Sequence, residues 1–172
     1  MNIKFDNSYA RDLQGMYADW HMTAAPQPSL VWLNESLAES LGIHIADLRS
    51  TAGLAMLSAS HVPVGAQPIA QAYAGHQFGH FSLQLGDGRA LLLGEVIDAH
   101  GRRQDIAFKG SGRTPFSRGG DGKATLSSVL REVLVSECMH ALGVPSTRAL
   151  AAVATGEQIR REGMQPAGVL TR

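Results

Sequence analysis

The sequence predicts an α+β fold: an antiparallel sheet of about five strands with one long helix packed on it, preceded by a helical and irregular N-terminal extension. Short apolar or alternating stretches, bounded by glycine, proline and polar residues, indicate the strands. Short links between them favour antiparallel neighbours. The stretches lie at residues 81–85, 90–97, 104–109, 147–154 and 167–172. With 172 residues and 44% hydrophobic composition, the chain can bury a core of its own.

Residues 1–72 form the predicted extension, and residues 73–172 form the sheet and its helix. The extension contains a helix near 10–19, a strand at 30–33, a helix at 35–41 and further helical turns at 43–57 with a break at Asp47 or Ser50. Asn34 is suited to cap the second helix and Gly42 to end it. Proline and glycine recur between residues 58 and 80, which predicts an irregular loop.

Charge and cysteine content narrow the classes of partner and compartment. Lys plus Arg and Asp plus Glu number 15 each, so the net charge is zero and we expect neither nucleic acid nor a membrane as partner. The single cysteine, Cys138, cannot form an internal disulfide, which fits a reducing cytoplasm. Cys138 lies within the long predicted helix, and we interpret it as a small core residue. No apolar stretch is long enough to span a bilayer.

The candidate chemistry begins at a glycine-rich turn. Gly86, Gly88 and Arg89 lie at the tip of a predicted hairpin between the strands at 81–85 and 90–97. Glycine lets backbone N–H groups approach a phosphate closely. The next strand ends in Lys109, which a rigid strand would hold as a phosphate-binding cation. The turn and the lysine together predict a nucleotide-phosphate site.

The long helix, predicted to begin at Ala124 or Thr125 and to stop at Gly143, supplies a carboxylate for this lysine. Glu132 and Glu137 both lie within it, and spacing alone does not choose between them. We take Glu132 as the candidate partner of Lys109. Protein kinases have a glycine-rich hairpin, a strand lysine and a helix glutamate in this order in their small lobe.

Two other interpretations stay open. His76 and His80 have the spacing of a helical metal pair, but the glycines around them favour a structural loop. Residues 110–123 include five glycines with Arg113, Arg118 and Lys123 interleaved, and we expect this loop to be mobile unless an anion orders it. The chain could then be a non-catalytic interaction module that binds an acidic partner or RNA phosphate through this loop.

Four motifs connect these features to a known family. They are Tyr73-Ala74-Gly75-His76-Gln77-Phe78-Gly79, Gln84-Leu85-Gly86-Asp87-Gly88-Arg89-Ala90, Phe108-Lys109-Gly110-Ser111-Gly112-Arg113-Thr114-Pro115-Phe116-Ser117-Arg118 and Asp121-Gly122-Lys123-Ala124. In this order they resemble the selenoprotein O family of kinase-fold protein adenylyltransferases. The resemblance covers residues 30–172 and is strongest from Tyr73 onward.

The resemblance implies an enzyme that binds ATP in an inverted pose and transfers AMP to Ser, Thr or Tyr hydroxyls of proteins. Transfer of the terminal phosphate, as in a kinase, is the alternative. The nucleotide-binding positions that it implies are Gly86, Gly88, Arg89, Lys109, Asp121, Gly122 and Arg172, with Glu132 as the ion-pair partner of Lys109. It also implies that the catalytic base and the ligands of Mg²⁺ or Mn²⁺ lie beyond Arg172. We therefore expect an N-terminal fragment without activity of its own.

Overall fold

The computed structural model describes residues 3–77, 79–85 and 91–172. Within them, an eight-stranded sheet has helices on both faces, and two further strands form a sheet of their own. Every strand pairing described is antiparallel. The α+β class and the antiparallel sheet are confirmed.

The element bounds are as follows. The helices are α1 (Ser8–Asp12), α2 (Glu35–Ser40), α3 (Ile45–Arg49), α4 (Thr51–Leu57) and α5 (Leu126–Ala141). The strands are β1 (Tyr17–Asp19), β2 (Ser29–Leu33), β3 (Ile69–Gln71), β4 (Tyr73–Gln77), β5 (His80–Leu85), β6 (Leu91–Ile97), β7 (Arg103–Lys109), β8 (Ala124–Thr125), β9 (Ala151–Arg160) and β10 (Met164–Thr171). The main sheet has the order β1-β3-β6-β7-β10-β9-β2, and β8 pairs with β10.

Three strands of the main sheet, β1, β2 and β3, come from the predicted extension, and five come from residues 91–172. The sheet is larger than the five strands expected because the N-terminal segment adds both of its outermost strands, β1 and β2. The domain boundary between residues 72 and 73 stays a prediction.

Strand alternation separates the two faces of the sheet. Phe108 on β7 and Val169 on β10 are buried in the core cluster that contains residues of α2, α3 and α4. Leu170, the next residue on β10, is buried in the second cluster with Val129 of α5. Because successive side chains of a strand point to opposite faces, Lys109 is turned to the same side as α5.

Helix α5 is the element that the sequence predicts best. Thr125 caps it by accepting a 3.2 Å hydrogen bond from the Ser128 amide, and Gly143, at φ +75°, follows its end. Cys138 is exposed, so its interpretation as a core residue is wrong. A helix lying on a sheet buries one face only, and Cys138 lies well off the face that carries Val133. No helix in the described ranges is long and apolar enough to cross a membrane.

The predicted hairpin between residues 81–85 and 90–97 is wrong in its pairing. Strand β5 pairs with β4, and β6 pairs with β3 and β7. Phe81 is 58% exposed and Leu83 85% exposed, so the alternation of β5 does not mark a face buried in the core. The irregular loop predicted across residues 58–80 likewise contains β3 and β4.

Most of the N-terminal local predictions are correct. The Asn34 side chain accepts a 3.1 Å hydrogen bond from the Leu37 amide and caps α2. The helical turns after it break at Ser50, which caps α4. The helix predicted near residues 10–19 is limited to α1, because Tyr17–Asp19 instead pairs with β3 as β1. Strand β9 begins at Ala151, four residues later than predicted, and extends to Arg160, so only residues 161–163 separate it from β10.

Candidate functional site

Lys109 and Glu132 form an ion pair between the main sheet and α5. Lys109 is the last residue of β7, and Glu132 lies in the second turn of α5. The Glu132 Oε2 accepts a hydrogen bond from the Lys109 Nζ. The two side chains are 19% and 24% exposed, so the charges lie where water is restricted and interact more strongly than on an open surface.

Arg172 adds a second cation to the same carboxylate. Its Nη1 donates a 2.9 Å hydrogen bond to the Glu132 Oε1, the oxygen that is not bonded to Lys109. The Arg172 N–H and C=O pair with those of Ala107 at 2.9 and 2.7 Å, which fixes Arg172 beside β7. The cluster therefore contains two cations and one carboxylate and carries a net positive charge.

A cleft of about 450 Å³ is lined by Lys109 and Glu132, whereas Arg172 lines a neighbouring cleft of about 370 Å³. The larger cleft has a volume within the range of small-molecule sites. Val135 and Met139 give it an apolar wall, and the exposed Arg131 adds positive charge to its rim. The lining residues are Lys109, Ser128, Arg131, Glu132, Val135, Ser136, Met139, Ser146 and Thr147.

This arrangement suits an anion with several oxygens. An ammonium has three N–H donors and a guanidinium has five, and Glu132 accepts from one nitrogen of each. The remaining donors can make charge-assisted hydrogen bonds to phosphate oxygens. Within the described ranges, no group of three or more His, Cys, Asp or Glu residues could hold a metal ion. The chemistry that these residues support is electrostatic binding of phosphate.

Glu137, the other candidate partner of Lys109, forms hydrogen bonds with residues other than Lys109. It accepts hydrogen bonds from Arg148 Nε at 2.9 Å and Nη2 at 2.6 Å, from the Ala149 amide at 3.0 Å and from Asn34 Nδ2 at 2.9 Å. The hydrogen bonds from Arg148 are the main cause of a pKa of Glu137 below its ordinary value. The structure thus places Glu132, and not Glu137, against Lys109.

Asp121 and Gly122 lie in the loop between β7 and β8. Burial raises the pKa of Asp121, but the Arg161 guanidinium, which donates to both Asp121 oxygens at 2.9 Å, and the Lys123 amide lower it below its ordinary value. Gly122 has φ +69°, and a Cβ there would lie 2.0 Å from the Gly112 carbonyl oxygen. Only glycine therefore fits this position. In the described contacts, neither Asp121 nor Gly122 touches Lys109.

Gly86, Gly88 and Arg89 lie outside the described residues, within the range 86–90. Strand β5 ends before that range at Leu85, and β6 begins after it at Leu91. The assignment of this turn to a nucleotide stays a prediction.

Comparisons with known proteins identify the family. A family model described as "Protein adenylyltransferase SelO" matches residues 1–172. The chain belongs to this SelO family. Relatives named "Protein nucleotidyltransferase YdiU" are similar along nearly the whole chain: one from Cereibacter sphaeroides (strain ATCC 17029 / ATH 2.4.9) is 61% identical over 100% of it, one from Alkalilimnicola ehrlichii 61% over 98%, and one from Mycobacterium sp. (strain KMS) 54% over 99%.

The chain spans 36%, 34% and 36% of the length of these three relatives. The family membership confirms the resemblance seen in the sequence motifs. The match includes the N-terminal 29 residues, for which the sequence motifs gave no resemblance.

The glycine-rich loop of this SelO-family chain is organised by its own contacts. Ser111 and Lys123 form an isolated bridge, and the Gly112 amide donates to the Gly122 carbonyl at 3.3 Å. Arg113 donates to the Gly120 carbonyl at 2.9 Å, and Lys123 pairs with Glu157. These contacts connect the two limbs of the loop to each other and to β9. The expectation that the loop is mobile unless an anion orders it stays a prediction.

The two histidines considered as a metal pair lie on paired strands and not on a helix. His76 is on β4, where it stacks edge-on with Phe81 at 5.3 Å between ring centroids, and His80 begins β5. The helix of a metal pair is therefore absent at these two residues, and the structural loop predicted for them is wrong, because both lie in strands.

Sequence reasoning missed two residues that bind the loop containing Asp121. Arg161 binds Asp121, and the Trp20 indole donates to the Arg113 carbonyl at 2.6 Å. The sequence predicts Asn34 as a helix cap but not its hydrogen bond to Glu137. Each contact joins parts of the chain that are far apart in sequence. A charged residue at a turn and a tryptophan in an irregular arm carry no local signal of such a partner.

Proposed function

We propose that this chain is the nucleotide-binding part of a protein adenylyltransferase that transfers AMP from ATP to Ser, Thr or Tyr hydroxyls of proteins. The observation that carries the proposal is the convergence of Lys109 and Arg172 on Glu132, with Lys109 and Glu132 lining a cleft. Membership of the SelO family and the names of its relatives support nucleotidyl transfer.

In the proposed site, each residue of the cluster has a separate part. Lys109 and Arg172 offset the charge of the triphosphate and fix its oxygens. Glu132 holds the two cations in place, so that they do not reorganise when the nucleotide arrives. Gly86, Gly88 and Arg89 cover the phosphates through backbone N–H groups and one further cation. Asp121 and Gly122 make further nucleotide contacts from the β7–β8 loop.

We assign the sheet and α5 to a lobe like the small lobe of protein kinases. A strand lysine paired with a helix glutamate is a kinase feature, and the pair is present here. The divalent cation, Mg²⁺ or Mn²⁺, and the base that accepts the hydroxyl proton belong in this proposal to the remainder of the full-length protein. A cytoplasmic setting is part of the same proposal.

The test compares the full-length protein with its Lys109→Ala variant, using ATP and a protein substrate. Mass spectrometry of the product distinguishes a gain of AMP from a gain of phosphate. We expect AMP transfer by the wild type and a loss of about 100-fold or more in Lys109→Ala, the order of effect seen when a charge-stabilising donor is removed. Lys4→Ala is the matched control, because Lys4 is an exposed lysine remote from the cleft.

Unchanged transfer by Lys109→Ala, with both variants folded, would show that the cluster does not bind the nucleotide. A product that gains phosphate would instead establish the kinase-type alternative at the same site. Steep salt dependence of RNA binding, without stabilisation by ATP, would favour the interaction module.

A further inference from the structure

The N-terminal arm, residues 20–25, lies against the glycine-rich loop of residues 110–123. Trp20 donates its indole N–H to the Arg113 carbonyl at 2.6 Å. The Thr23 amide donates to the Ser111 carbonyl at 3.2 Å. A Cβ on Gly112 would lie 2.6 Å from the Thr23 Oγ1, so the arm and the loop are in direct contact. Three consecutive loop residues, 111–113, are thus contacted by the arm.

The arm is itself fixed to the fold. The Trp20 amide donates to the Pro68 carbonyl at 3.3 Å, beside β3, and the Trp20 ring packs against the main core cluster. The Ala25 amide donates to the Ser60 hydroxyl at 2.9 Å. Beyond the arm, the Gln27 amide donates to the Thr155 carbonyl of β9 at 3.0 Å. The arm therefore holds the loop at a set position relative to the sheet.

The contacts continue across the loop to its other limb. Gly112 donates to Gly122 at 3.3 Å, and a Cβ on Gly122 would overlap the Gly112 carbonyl. Arg113 donates to the Gly120 carbonyl at 2.9 Å. A shift of residues 111–113 would thus move residues 120–122 with it.

From these contacts we infer that the arm is a positioning element for the nucleotide, and that Trp20 is its main positioning residue. The arm sets the place of residues 111–113, these set the place of Asp121 and Gly122, and nucleotide affinity depends on the result. The inference rests on the proposed function, because it assumes that Asp121 and Gly122 contact the nucleotide.

Trp20→Phe is the decisive variant, because it keeps an aromatic ring for packing and removes the N–H donor. Trp32→Phe is its matched control: Trp32 is a half-buried tryptophan that packs in the α5 cluster, on the other face of the sheet. The full-length protein carries each change. The readouts are KM for ATP, kcat, the melting temperature, and hydrogen–deuterium exchange of the amides in 111–123.

We expect Trp20→Phe to raise KM for ATP about five- to tenfold, as loss of one hydrogen bond would, with a smaller change in kcat. We also expect faster exchange in 111–123, and neither change in Trp32→Phe. Asp121→Asn serves as the reference for the proposed function. If Asp121→Asn raises KM and Trp20→Phe does not, the positioning role is overturned while the nucleotide site stands. If the wild type binds no ATP, the proposed function fails. Unchanged hydrogen–deuterium exchange of residues 111–123 in Trp20→Phe overturns the positioning role by itself.

Discussion

Glu132 and Glu137 lie on the same helix, five residues apart, and both carboxylates bind arginine, yet their surroundings differ. Glu137 accepts four hydrogen bonds, from Arg148, Ala149 and Asn34. Among the contacts of the described residues, Glu132 accepts from the ends of two long side chains, Lys109 and Arg172, and it lines a cleft.

The difference shows how one helix can hold a structural carboxylate and a site carboxylate. A carboxylate whose acceptors are filled by a backbone amide, an amide side chain and a bidentate arginine joins parts of the fold and has little left to offer a ligand. A carboxylate that accepts from one nitrogen of each of two cations leaves both cations with spare donors for a ligand. Identical charge and similar burial, 24% and 23% side-chain exposure, therefore do not indicate the same role.

The strongest test of this comparison is the effect of Glu132→Gln on AMP transfer by the full-length protein. Glutamine cannot balance Lys109 and Arg172, so both cations lose their fixed positions, and we expect kcat/KM to fall on the order of 100-fold. Glu137→Gln should stay within a few-fold of the wild type. Equal losses in the two variants would remove the distinction between the two carboxylates.

Unfolding by urea should rank the two variants in the opposite order. Glu137→Gln weakens charge-assisted hydrogen bonds that connect α5 to Asn34 and to the start of β9. We expect it to lose about 1–3 kcal/mol of the free energy of unfolding. Glu132→Gln removes the counter-charge of Lys109 and Arg172, but both cations are at the ends of long side chains that can turn toward solvent, and we expect a smaller loss. A Glu132→Gln variant less stable than Glu137→Gln would contradict the structural role of Glu137.

The smallest effect is a dependence of stability on pH. The pKa of Glu137 in the folded protein lies below its ordinary value of 4.5. Its ionised form is therefore favoured by folding, and the stability it contributes is present above pH 4.5 and lost as the pH falls through the folded pKa. The stability difference between the wild type and Glu137→Gln, measured by urea unfolding, should shrink below pH 4.5. A difference that grows in acid would have the wrong sign.

The parts of the fold that sequence predicts well are those decided by neighbouring residues. The Asn34 cap, the break at Ser50 and the start of α5 at Thr125 each depend on a side chain that bonds an amide three residues away. The apolar run of β6 and the link to β7 are local in the same sense. The position of Lys109 at the end of β7 follows from the same local pattern of residues.

The parts that sequence predicts badly are pairings over long separations. Strand β5 has the alternation of a half-buried strand, but its partner is β4, and Leu83 is exposed. The sequence predicts strand β2 but not its pairing with β9, because the residues of a strand do not indicate which distant strand it pairs with. For the candidate site, spacing left Glu132 and Glu137 equal, and only the positions of Lys109 and Arg148 in space separate them.

The order of strands in the main sheet has a consequence for how the protein folds. Leu30 pairs with Val153, and Phe108 pairs with Thr171, so the sheet is built from residues distant in the chain. Such pairings close long loops and lose chain entropy before their contacts can compensate, which slows folding. The cation cluster requires β7, α5 and the residue after β10 together. Its ion pairs therefore depend on contacts between parts of the chain that are distant in sequence.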